Sequence, residues 1–241
     1  MRVFIFLFFL TSKLFADAVA YWPLADLTDK SGNGYDLSET GTITFDTDPE
    51  CPRAEAEAQA FTDLNYLQSP AGFDTQMSGD TTYTVEMYAY WAGGLGNGTP
   101  WVFYTTSTDY VRVRVINTGV LRVIIDNSNF ADSSTGVVVA DTCMFIAATY
   151  DGTDMKGYVS DASSIDNTVD VTLTNAGGSI GGTLWIGRHG NAAGPDPNAG
   201  SLQGFLVLDT VQTSFPTSPP GAVVINNGMT NNPILWSQPE P

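Results

Sequence analysis

The chain has 241 residues, 26 acidic and 9 basic, with a formal charge of −17. That balance argues against a nucleic-acid partner, because holding phosphates needs Lys and Arg to replace released counterions, and against electrostatic attraction to anionic lipid. Charged residues are only 15% of the chain, while Gly (24) and Pro (13) are plentiful, a composition that favours short strands joined by turns over long helices.

The N-terminus has the form of an export leader. Arg2 precedes an apolar run over 3–10, followed by two small-x-small sites, Ala16-Asp17-Ala18 and Ala18-Val19-Ala20. The run is far shorter than the roughly 20 residues that cross a bilayer. We therefore expect a leader over 1–18, a body over 19–214 and a Pro/Asn-rich tail over 215–241, with no membrane insertion of the mature chain. Apolar and alternating segments bounded by turn residues predict strands at 18–24, 42–45, 58–61, 66–68, 81–91, 100–105, 110–116 and 120–126. Further strands are expected at 141–150, 155–160, 169–173, 183–187 and 202–209. Strands at this spacing read as an all-β sandwich or barrel.

One hairpin fixes its own register. Val111, Val113 and Val115 alternate with Arg112, Arg114 and Ile116; beyond the Asn117-Thr118-Gly119 turn, Leu121, Val123 and Ile125 alternate with Val120, Arg122 and Ile124. A three-residue loop pairs Ile116 with Val120, Arg114 with Arg122 and Val113 with Val123, and a one-residue slip would mix the faces. Like charges directly opposite on a sheet repel, so the Arg114–Arg122 pair, with Arg112 on the same face, needs relief. A neighbouring-strand acid, solvent, an internal ion pair (to Glu86, for instance) or an anionic ligand would supply it. Arg112, Arg114 and Arg122 are thus candidate contacts to a carboxylated or sulfated glycan or to an acidic protein surface.

Cys51 and Cys143 are the two cysteines. In an exported chain they permit one disulfide, closing a loop of about 90 residues and contributing on the order of 4–5 kcal/mol; the alternative is a buried thiol at Cys143.

Tyr21-Trp22-Pro23-Leu24 with the loop Asp29-Lys30-Ser31-Gly32-Asn33-Gly34, then Tyr83-Thr84-Val85-Glu86-Met87-Tyr88, come first among a series of suggestive segments. Ala147-Ala148-Thr149-Tyr150-Asp151-Gly152 with Tyr158-Val159, Leu184-Trp185-Ile186-Gly187-Arg188 and Gly204-Phe205-Leu206-Val207-Leu208-Asp209 complete it. In this order they resemble laminin G-like modules of the concanavalin A-like lectin-glucanase superfamily. Two positions depart from that pattern: Tyr88 stands where a tryptophan is usual, and so does the Asp141-Thr142-Cys143 region. The resemblance implies a two-sheet antiparallel jelly-roll sandwich, with function in its loops or on its concave sheet. It implies no single ligand, because one scaffold hosts many functions.

Asp29, Ser31 and Asn33, followed by Gly34, imitate the first half of a calcium loop, with Asp36 as a further donor. The closing glutamate of such a loop is missing, with Thr40 at the twelfth position, and an Asx-type turn is the other reading. Paired carboxylates for glycoside hydrolysis are not evident: Glu55 and Glu57 precede any clear strand, and Glu86 stands alone. Trp91 and Trp101 flank a Gly-rich loop and are either sugar-stacking indoles or sandwich core. His189 and Asn191 begin a long polar loop of the kind that carries binding groups. These features together lead us to expect a non-catalytic, secreted module that binds glycans, possible calcium assistance included. The rival readings are a structural or adhesion protein of a virion, contacting other virion or cell-surface proteins, and, third, a glycan hydrolase.

Overall fold

The computed structural model describes residues 18–46, 51, 56–62, 64–77, 82–106, 109–126, 128–174, 176, 181–189 and 200–215. Nearly all of the expected leader, the tail beyond Phe215, Glu55 and Asn191 lie outside the described residues.

The described chain forms two antiparallel sheets, as expected. In chain order the elements are β1 (Ala18–Trp22), β2 (Ser38–Thr40), β3 (Thr44–Asp46), β4 (Glu57–Gln59), β5 (Tyr66–Gln68), a single-turn helix α1 (Phe73–Met77), β6 (Tyr83–Tyr90) and β7 (Gly98–Thr106). They continue with β8 (Asp109–Ile116), β9 (Val120–Ile125), β10 (Asn129–Asp132), β11 (Met144–Tyr150), β12 (Met155–Asp161), β13 (Val169–Leu173), β14 (Thr183–Ile186) and β15 (Ser201–Leu208). One sheet runs β13-β12-β11-β6-β15-β4-β3, with β1 sharing the β15 edge; the other runs β10-β9-β8-β7-β14-β5-β2.

Between the sheets, alternate side chains of the longer strands enter one core. β6 contributes Tyr83, Val85, Met87 and Ala89; β8 and β9 contribute Val111, Val113, Val115, Leu121, Val123 and Ile125. Side chains on a strand alternate between its faces, so these inward sets fix what points outward. The hairpin adopts the register that its pattern demands: Ile116 faces Val120, Arg114 faces Arg122 and Val113 faces Val123. Gly119 makes the turn possible, with φ 77° and its N–H donating to Ile116 O at 2.8 Å; glycine occupies that left-handed region without steric cost.

Three elements escape the sequence expectations. β2 is exposed along its length, so no apolar alternation marks it, and β10 alternates over only four residues. α1 is one turn, with Phe73 and Met77 buried four residues apart, too short for a helical period to register. Cys51 and Cys143 form a disulfide, with Cα atoms 5.2 Å apart and a separation of 92 in sequence. It fastens the segment before β4 to the start of β11; closing a loop of that length contributes about 4–5 kcal/mol in the chain-entropy account.

Candidate functional site

The two outer faces of the sandwich differ in chemistry. On the eight-stranded sheet the outward side chains Tyr88, Phe145, Ala147 and Tyr158 are covered by Cys51, Ala162, Ile165 and Phe215. The Phe215 ring lies 4.8 Å from that of Tyr158 and 5.3 Å from that of Phe145. Leu206 and Leu208 pack with Ala18 and Tyr21. That face is sealed with apolar side chains.

The outer face of the seven-stranded sheet carries aromatics and arginines instead. Register aligns Gln68, Trp185, Val102, Arg112, Ile124 and Phe130 in one lateral row. A neighbouring row sets Tyr104 opposite Tyr110, and another runs Arg114, Arg122 and Asp132. Trp185 lies between two tyrosines: its ring is 5.2 Å from Tyr104 at 25° and 5.3 Å from Tyr66 at 32°. Three partly exposed rings thus form a ladder across β5, β14 and β7.

Arg188 caps this ladder, its guanidinium 4.7 Å from the Tyr66 ring centre and 5.3 Å from that of Trp185. Gly187 brings it there. With φ 83°, Gly187 turns the chain at the end of β14, and a Cβ at that position would stand 1.9 Å from the Phe61 ring. The turn is anchored by Gly187 N–H donating to Pro100 O at 2.7 Å. His189 follows, set edge-on to Tyr110 at 5.0 Å and to Tyr104 at 6.3 Å.

The arginine hairpin is resolved by its neighbour. Arg122 donates from Nε to Asp132 Oδ1 at 2.5 Å and from Nη2 to Oδ2 at 2.7 Å, while its guanidinium lies over Phe130 at 4.2 Å. The hydrogen bonds to Asp132 hold the Arg122 pKa above its ordinary value. The relief is therefore a neighbouring-strand acid on β10. Glu86 is not that partner, since it belongs to β6 of the other sheet. Arg112 lies over Tyr110 at 5.4 Å and reaches Thr99 Oγ1 from Nη1 at 3.4 Å. Arg112, Arg114, Arg122 and His189 thus do share one face, as their sequence positions suggested for the three arginines.

Trp91 and Trp101 require a correction. They are 0% and 1% exposed within the inter-sheet core, so neither offers an indole face to a sugar. Strand alternation explains Trp101: it shares the inward phase of β7 with Phe103.

The Asp29 loop satisfies its own backbone. Asp29 Oδ1 accepts from Tyr21 N (3.0 Å) and Ser31 N (2.8 Å), and Oδ2 from Ser31 Oγ (2.9 Å) and Tyr35 N (3.0 Å). A carboxylate has about four lone-pair sites, all engaged here. Asn33 donates through Nδ2 to Ala18 O and Val19 O, both at 3.0 Å, and Asp36 Oδ1 accepts from Asp29 N at 2.8 Å. The geometry is that of the Asx-type turn. Among the described residues no three His, Cys, Asp or Glu side chains are grouped to hold a metal.

Two buried carboxylates lie on the sealed face. Glu57, which falls inside β4 rather than before a strand, accepts from Gln203 Nε2 through Oε2 at 2.7 Å and from Gln59 Nε2 through Oε1. Glu86 is 1% exposed, and desolvation pushes its pKa up to about 8.

Sequence reasoning missed Tyr66, Trp185, Tyr104, Tyr110 and Arg188. A signal was present: in β5, β7 and β14 the inward phase is already filled by Leu67, Trp101, Phe103, Leu184 and Ile186. Aromatics in the opposite phase must therefore face outward.

No protein-family model matches the sequence, and no curated protein does. Solved structures do match. Domain 4 of AbnA, a GH43 extracellular arabinanase from Geobacillus stearothermophilus in complex with arabinotriose, superposes with a TM-score of 0.60 at 14% identity, over 82% of this chain and 95% of that one. What is shared is the fold. The binding domain of botulinum neurotoxin DC in complex with SialylT gives 0.57 at 10% identity, over 82% of this chain and 49% of the other. Botulinum neurotoxin type C, whose cell entry depends on two ganglioside molecules, gives 0.56 at 11% identity with the same coverage. The chain spans about half the length of those neurotoxin chains.

Proposed function

We propose that this chain is a non-catalytic, extracellular module that binds glycans across the outer face of its seven-stranded sheet. The observation that carries the reading is the Tyr66–Trp185–Tyr104 ladder, three partly exposed rings packed ring against ring across a sheet surface. Aromatic side chains combine a large apolar body with a polar tip, and a partly exposed stack of them offers apolar ring surface to sugar C–H groups while leaving the sugar hydroxyls to Gln68 and solvent. The leader-like N-terminus supports export. Structures of this fold in complex with arabinotriose and with SialylT support a sugar as the ligand. The reading routes the ligand through the sheet face and needs no calcium at the Asp29 loop.

A glycan array probed with the purified protein, in calcium and in EDTA, tests it. The expected result is selective binding in both conditions, lost in Trp185→Ala and Tyr66→Ala variants that retain the melting temperature of the parent. Absence of binding across a broad array, or binding unaffected by both variants, would overturn the assignment.

A further inference from the structure

Resting on that reading, we infer that the ladder end of this face is a subsite for acidic sugars, with Arg188 taking the ligand's anionic group. The chain has only six arginines against 26 acidic residues, and four of them (112, 114, 122 and 188) gather on this one face. Among the described outward strand positions here, Asp132 is the single carboxylate, and it is engaged with Arg122.

Arg188 differs from Arg122 in its surroundings. Among the described residues no carboxylate pairs with it. Its hydrogen bond among the described residues runs from Nε to His189 O, at 3.2 Å. Its guanidinium lies over the Tyr66 and Trp185 rings, 4.7 and 5.3 Å from their centres, and a cation–π contact of this kind helps to position the planar fork before any ligand arrives. That fork matches carboxylate and sulfate oxygens in pairs. A sugar ring resting on the ladder therefore places a ring substituent beside Arg188, and an anionic substituent gains a charge-assisted pair that a hydroxyl does not.

The test is calorimetric titration of the full-length protein with three trisaccharides matched in linkage: neutral galactose, galacturonic acid and a sulfated galactose. The parent should bind at least one acidic ligand on the order of tenfold more tightly than the neutral one, with an advantage that shrinks as salt is raised. Arg188→Gln should bring the acidic-to-neutral ratio close to one. Arg188→Lys, which keeps the charge but not the fork, should recover only part of it. Lys156→Gln removes the same charge from the other sheet and should leave the ratio intact, so a fall there would expose a long-range field effect and overturn the subsite. Equal affinity for all three ligands, or a ratio that survives Arg188→Gln, would overturn the acidic subsite while leaving glycan binding in place. Binding of none by the parent would remove both readings. The carboxylate and sulfate arms identify which anion the site takes.

Discussion

Glu86 gives the sharpest test of the physics of this sandwich. It points outward from β6 with Ala147 and Leu206 directly opposite on the flanking strands, is 1% exposed, and among the described residues Oε1 has no hydrogen-bond partner. Burial without a countercharge disfavours the ionised form, and desolvation accounts for its rise from 4.5 to about 8. The sign of the linkage follows. Between the two values the unfolded chain has lost this proton while the folded chain keeps it, so the stability contributed at acid pH declines as pH rises. The slope is about 1.4 kcal/mol per pH unit, or about 3 kcal/mol between roughly pH 5 and pH 7, and the decline ends near pH 8, where the folded group also ionises. Glu86→Gln keeps the shape and removes the proton. Urea unfolding of both proteins at a series of pH values should show the parent losing stability over this window relative to the variant, whatever their offset at low pH. Parallel curves for the two proteins would refute the assignment of a protonated, desolvated carboxyl.

Three further outcomes are expected. Asp132→Asn should lower stability by about 1 kcal/mol, since it leaves Arg122 facing Arg114 without its neighbour; a double-mutant cycle with Arg122→Gln in urea should attribute most of that loss to the pair. Gly187→Ala should cost about 2–4 kcal/mol through the left-handed backbone and the collision with Phe61, and should quench or shift Trp185 fluorescence as the turn carrying Arg188 moves. Asp29→Ala should cost about 2–4 kcal/mol by stranding the donors of Tyr21, Ser31 and Tyr35, and added calcium should leave the melting temperature of the parent unchanged.

The sandwich was legible because its longer strands alternate cleanly. The Val111–Ile125 hairpin is the clearest case: its register followed from the pattern alone, since any slip would have put arginines into the core. The face that register exposed was therefore legible too, and with it the arginine cluster. What pairs with Arg122 was not, because β10 is four residues long and Asp132 belongs to no motif. Trp91 and Trp101 attracted notice by flanking a glycine-rich loop, yet loop proximity says nothing about the phase of a strand. Trp185 lies in a segment marked by its likeness to a family strand, and the ladder it forms with Tyr66 and Tyr104 joins residues far apart in sequence. Such a ladder depends on strand order, which alternation within a strand does not encode. Glu57 was misplaced for a related reason, because an Ala-rich segment carries little β propensity and β4 is made a strand by the β15 edge beside it.

The ladder has a consequence of scale. From Tyr66 on β5 to Tyr104 on β7 there are two strand-to-strand steps, about 10 Å at the usual spacing, and beyond it the outward positions Val102, Tyr110, Arg112 and Ile124 are buried. On the proposed reading the open surface is therefore short: it takes a brief stretch of a sugar chain, and lengthening that chain past the ladder should add little affinity.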